Sequence, residues 1–93
     1  MEGNSVVAPE VIARYARDAA CEVAGVMGVV EGVRKGVRVD GGEIVLHLAF
    51  DWGVSIPEVG ANVQREVADY LERMTEVRPT AVDVVVEEIG APA

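Results

Sequence analysis

Apolar positions recur along the chain with two different periods, and the change of period divides it into elements. From Pro9 to Val23, PEVIARYARDAACEV, the residues Ile12, Ala16, Ala19 and Val23 recur at steps of three and four, with Tyr15 and Val26 at the margin. Arg14, Arg17 and Asp18 point elsewhere. Pro9 suits a first helical turn and Gly25 a helix exit, so the segment predicts a helix. Its alanines permit close approach to a sheet. Ahead of it, Ser5 to Val7 is expected as a short strand.

After Gly28 the period becomes two. Val37 and Val39 precede Asp40-Gly41-Gly42, a hairpin signal, because glycine adopts the positive φ of tight reversals. Ile44, Leu46, Leu48 and Phe50 then line one face of a strand, and Val45, His47, Ala49 and Asp51 the other. The first face is the core side. Ser55-Ile56-Pro57-Glu58 has the S-x-x-E form of a capping box and opens a second helix. Its stripe is Ile56, Val59, Val63, Val67, Tyr70, Leu71 and Met74, while Arg65, Asp69, Glu72 and Arg73 sit opposite. Arg65 with Asp69, and Asp69 with Arg73, have the spacing of supporting ion pairs.

From Ala81 to Ile89, AVDVVVEEI alternates Val82, Val84 and Val86 against Asp83, Val85 and Glu87, which predicts a third strand. A helix joining two successive strands has the form of a βαβ crossover, so those strands should be parallel. The fold expected is therefore two-layer α+β: two helices on one face of a small mixed sheet, in the order α-β-β-α-β with an additional leading strand. It should form one domain over residues 1–93.

Composition narrows the function. Hydrophobic residues make up 51% of the 93 and aromatics 4%, so the core is built from mid-sized, largely β-branched side chains. A formal charge of -8 repels polyanions at long range, which argues against direct nucleic-acid binding and against adhesion to anionic lipid. Basic partners remain open. Cys21 is the lone cysteine, so neither an internal disulfide nor a zinc cluster can form. The N-terminus lacks an export pattern, and no apolar run approaches the ~20 residues of a membrane-spanning helix. A cytoplasmic protein is expected, reaching the inner face of the membrane only through a partner.

Candidate chemistry is sparse. The stretch VLHLAFDWG holds the one histidine and the one tryptophan. His47 and Asp51 lie on one strand about 13 Å apart at ~3.3 Å per residue, too far for a hydrogen bond. A cross-strand Asp83 or Glu87 could approach His47, which reads more readily as a surface pair than as a catalyst. Metal-ligand spacing is absent, and no cofactor, small-molecule substrate or catalytic residue is expected. Cys21 projects away from the apolar stripe beside Arg14 and Arg17, so an exposed thiol is expected, open to a depressed pKa and a nucleophilic or redox role; with no histidine within its helical reach, a small tolerated surface residue is the preferred reading. Glycines 25, 28, 32 and 36 match no phosphate-binding pattern and read as turns and a bulge.

What remains is the second face of the sheet. It should present Val45, Ala49 and Val85 around His47, with Arg38, Asp51, Asp83 and Glu87 about the rim, and no helix is left to cover it. Trp52, at the strand end, either anchors a contact or caps the core. Val45, His47, Ala49, Val85 and Trp52 are thus the candidate protein-interface residues.

Read in order, VAPEVIARYARDAACEVAGV, VRV, IVLHLAFDWGVSIPEVGANVQREVADYLERMT and AVDVVVEEI resemble the bacterial alkaline shock protein family over nearly the whole chain. The most specific points are EVAGV at Glu22 to Val26, Trp52-Gly53, IPEV at Ile56 to Val59 and VQREV at Val63 to Val67. The resemblance implies a non-enzymatic, cytoplasmic protein of general-stress or cell-envelope homeostasis, self-assembling or attached to the membrane by a separate anchoring protein. Two departures are visible: Glu76 stands where the family commonly has glycine, and the loop from Gly28 to Gly36 is short. A KH-like nucleic-acid module is the rival from another class, though its G-x-x-G loop and basic groove are missing. A small enzyme or thiol sensor using Cys21 or His47 is a third.

Overall fold

The computed structural model describes residues 7–92. The strand expected over Ser5 to Val7 lies outside the described residues, except for Val7 itself. The elements in order are α1 (Pro9–Cys21), β1 (Val26–Val29), β2 (Val37–Asp40), β3 (Glu43–Phe50), α2 (Ile56–Thr75) and β4 (Ala81–Ile89). The order is therefore α-β-β-β-α-β, and both helices lie on one face of a mixed sheet, an α+β fold as expected. One strand more than the pattern predicts stands between the helices. β1 covers only four residues, VMGV, one of them glycine, too short to show a period.

β3 organises the sheet. β1 and β2 lie antiparallel along successive stretches of one of its edges, with Val29 opposite Leu48 and Val37 opposite Leu46. β4 runs parallel along the whole of the other edge, from Glu43 opposite Ala81 to Phe50 opposite Ile89. The β1–β2 loop leaves and rejoins the sheet at one point: the Val30 N–H donates to the His47 carbonyl at 2.8 Å, and the His47 N–H donates to the Gly36 carbonyl at 3.0 Å. The ladder stays satisfied across the excursion.

Alternation on β3 sends Ile44, Leu46, Leu48 and Phe50 beneath the helices, where each is at most 2% exposed. From α1 they meet Ala16, Ala19 and Ala20; from α2, Val59, Val63, Val67 and Leu71. Val82, Val84 and Val86 of β4 pack at the side. Tyr15 and Tyr70 join the two helices edge to face, with ring centroids 5.8 Å apart. The stripe of α2 overhangs at both ends, since Ile56 and Met74 are each 45% exposed. Asp69 pairs with neither Arg65 nor Arg73: together with Glu72 it receives the Arg78 guanidinium from the α2–β4 connection, at 3.0 and 2.9 Å. Arg65 instead donates to Asn62, and Arg73 lies over the Tyr70 ring. A tertiary cation outcompetes the local spacing.

The two ends of α2 show how sequence meets geometry. At its start the Ser55 hydroxyl accepts the Glu58 N–H, as the capping box requires. At its end Glu76 takes a left-handed conformation, φ +63°, while its N–H donates to the Glu72 carbonyl. A β-carbon is disfavoured there, which explains why glycine suits this position. Gly25 in EVAGV is required for two reasons: φ is +98°, and a β-carbon would stand 2.8 Å from a Val59 methyl of α2. Its carbonyl also receives the Asp51 N–H at 2.8 Å, tying the helix exit to the end of β3.

Opposite outcomes are expected at these two positions. Gly25→Ala should destabilise the fold by about 1–3 kcal/mol, through strain and the clash with Val59. Glu76→Gly should stabilise it by about 0.5–1 kcal/mol, the relieved left-handed strain exceeding the added chain entropy. Urea unfolding of the two variants beside the parent checks both.

Candidate functional site

The face of the sheet turned away from the helices is set by the register of all four strands. Residues directly opposite one another share a face, so Val45, His47 and Ala49 of β3 lie with Arg38 of β2, Gly28 of β1, and Asp83, Val85 and Glu88 of β4. No helix among the described residues packs on this side. At Leu48/Ala49 the register with β4 slips by one residue, leaving Glu87 as a bulge. From this position the Glu87 carboxylate reaches over β3 to His47.

The result is a three-residue network at the centre of the face. The His47 Nδ1–H donates to Glu87 Oε2 at 2.8 Å, and Lys35 Nζ lies 3.2 Å from Glu87 Oε1. His47 and Glu87 side chains are only 13% and 21% exposed, so the pair is partly screened from water. The hydrogen bond from His47, and then that from Lys35, holds the Glu87 carboxyl below its usual range. A carboxylate can only accept, which places the ring proton on Nδ1. Lys35 arrives from the β1–β2 loop, which is fastened at its other side by Arg17 of α1 to Glu31, 2.6 Å. Loop, central strand and edge strand are thus tied together over the sheet.

The five candidate residues divide by accessibility. Val45 and His47 are half-buried and Ala49 is buried at 8%, whereas Val85 is 39% and Trp52 61% exposed. Trp52 therefore does not cap the core. Of Asp83 and Glu87, the bulge selects Glu87 as the partner of His47. Met27, 57% exposed, was not visible as a candidate: it belongs to the unrecognised β1 and lies against Gly90 beside the Trp52 backbone, at the end of β3. Its signal was hidden because a strand of four residues carries no readable alternation.

Cys21 lies on the other layer. It is exposed, in a groove of about 460 Å³ between the helices lined also by Asp18, Glu22, Glu66, Tyr70 and Arg73. Partial burial pushes its thiol pKa up; Arg17 opposes this, and Asp18 and Glu22 add to it. The shift is opposite to a depression, chiefly because burial outweighs the Arg17 charge, with Asp18 and Glu22 adding to it. The sheet separates Cys21 from His47, so the two form no nucleophile–base pair. Among the described residues no group of three or more His, Cys, Asp and Glu side chains could hold a metal ion, and no helix is long and apolar enough to cross a membrane.

Glu87→Gln should lower the thermal unfolding midpoint at neutral pH. Because the folded carboxyl titrates below its unfolded value, its contribution is present above the ordinary carboxylate pKa of about 4.5 and is lost as pH falls through the lower, folded value. The difference between parent and variant should therefore close in the acid range, as calorimetry at successive pH values would show.

Comparison with known proteins agrees with this architecture. The profile of the alkaline shock protein 23 family, described as having a cell envelope-related function, matches residues 1–91. The YqhY protein of Bacillus subtilis (strain 168), itself uncharacterized, is 34% identical over 99 residues, spanning 88% of this chain and 73% of its own. Among solved structures, variants of the MamM CTD superpose with a TM-score of 0.53 at 20% identity, covering 85% of this chain and 93% of theirs. A nickel form of a MamM CTD variant does so at 18% identity, with the same TM-score, over 85% of this chain and 96% of its own. These structures share the fold.

Proposed function

The chain belongs to the alkaline shock protein 23 family, whose described function is cell envelope-related, and from that premise we propose that it is a non-enzymatic interaction module of envelope homeostasis and stress tolerance. It acts by binding, through the outer face of its sheet, a second copy of itself or a membrane-anchored protein. The observation that carries this reading is the uncovered face, where Val85 presents apolar surface beside a network that holds the centre rigid, while Met27 and Trp52 expose further apolar surface at the end of β3. Such a patch binds without reorganising. The His47–Glu87 pair is assigned a positioning role, since Glu87 is shared with Lys35 and Cys21 sits across the sheet.

Acidity supports an intermediary. A surface of net charge -8 is repelled by anionic lipid, so association with the envelope runs through protein contacts. General or alkaline stress, and a place at the inner membrane face, follow from the family resemblance on the same footing.

Photo-crosslinking in cells tests the surface. A photoreactive residue placed at Val85 or Trp52 should give crosslinks to the chain itself or to an integral membrane protein, and one placed at Glu66 on the helical layer should not. Crosslinks arising from Glu66 and absent from Val85 and Trp52 would sink the reading.

A further inference from the structure

We propose that two copies pair face to face through their outer sheet surfaces, about a two-fold axis parallel to β3, with Arg38 of each copy against Asp83 of the other. This rests on the reading of that face as a contact surface and specifies its symmetry. Arg38 lies opposite Val45, and Val45 opposite Asp83, so one line across the sheet runs basic, apolar, acidic. With strands about 4.8 Å apart, roughly 10 Å separates the two charged positions. Both residues are exposed, and among the described residues neither takes part in an ion pair. The same polarity recurs further along, with Lys35 on the β1–β2 side and Glu88 on β4.

A rotation about an axis parallel to the strands exchanges the two sides of the sheet but preserves position along it. It therefore sets Arg38 over the second copy's Asp83, Asp83 over its Arg38, and Val45 over Val45. Small residues, Ala49 and Gly28, let the faces approach further along. An axis across the strands would instead stack β4 on β4, bringing Asp83 over Glu88 or over itself. Like charges oppose that arrangement. Packed sheets cross at about 30°, so each β3 tilts about 15° from the axis and the Glu43 side chains at the strand ends diverge into solvent.

The face is small. A sheet three strands wide, with β1 and β2 sharing one edge of β3, and about eight residues long covers roughly 400 Å² per copy, about half of one side of a standard interface. Association should be weak, filling over tens to hundreds of micromolar.

Sedimentation equilibrium between about 10 µM and about 1 mM tests the pairing. The parent should dimerise, and Arg38→Glu or Asp83→Lys should each weaken it by about tenfold or more, because symmetry turns both attractive contacts repulsive. Mixing the two variants should restore association, since each then meets its complement at both contacts. Unchanged thermal unfolding shows that each variant is folded. A parent that dimerises while the mixed variants stay apart overturns the axis and leaves the contact face standing. A parent monomeric at about 1 mM overturns the pairing, and the crosslinks from Val85 then decide separately whether the face binds another protein.

Discussion

The structure depends on β3 being engaged on three of its four sides. Both edges are hydrogen-bonded, one by β1 and β2 in succession and the other by β4, and its core face is roofed by two helices. Among the described residues, the outer face is left without a layer. Removal of Ile44, Leu46, Leu48 and Phe50 from water supplies the driving force, and it does so in one direction because successive side chains on a strand alternate. His47 is placed on the outside by that arithmetic, not by any demand of its own.

Charge acts on this frame secondarily. The -8 charge is not spread evenly: Arg34, Lys35 and Arg38 fall within five residues around the β1–β2 loop, while Asp83, Glu87 and Glu88 line β4. The register brings Arg38 to one margin of the outer face and Asp83 and Glu88 to the other. Glu87, at the bulge, bridges the two by contacting both His47 and Lys35. The bond draws a loop against the sheet and keeps the central part of the face ordered. A family whose described function is cell envelope-related is well served by a rigid surface of this kind, on which apolar and charged positions are fixed relative to one another.

The helical layer reads differently. Its alanines bring α1 close to the sheet, and Tyr15, Tyr70 and Arg73 close the seam between helices. The groove left above that seam is acidic, and the thiol within it is kept protonated by burial and by its neighbours' charge. A thiol so placed is a poor nucleophile.

Both helices, three strands, the parallel crossover and the inward face of β3 were legible in the sequence, because each follows from periodicity and capping that local chemistry enforces. EVAGV and Glu76 were legible as peculiar, and the reason lies in backbone angles and in a methyl group contributed by α2. Four things were decided only by tertiary structure. β1 exists because β3 has an edge to fill, not because VMGV prefers to be extended. Arg78 takes Asp69 because the chain turns back beside α2. Alternation puts both Asp83 and Glu87 on the outer face, but that Glu87 and not Asp83 meets His47 is decided by how β4 pairs with β3. Arg38, Val45 and Asp83 share a line because register, a property of strand pairs, sets it. Sequence fixes what one segment does with its own side chains; pairing between segments fixes which side chains meet, since strand register is a long-range quantity that no local pattern contains.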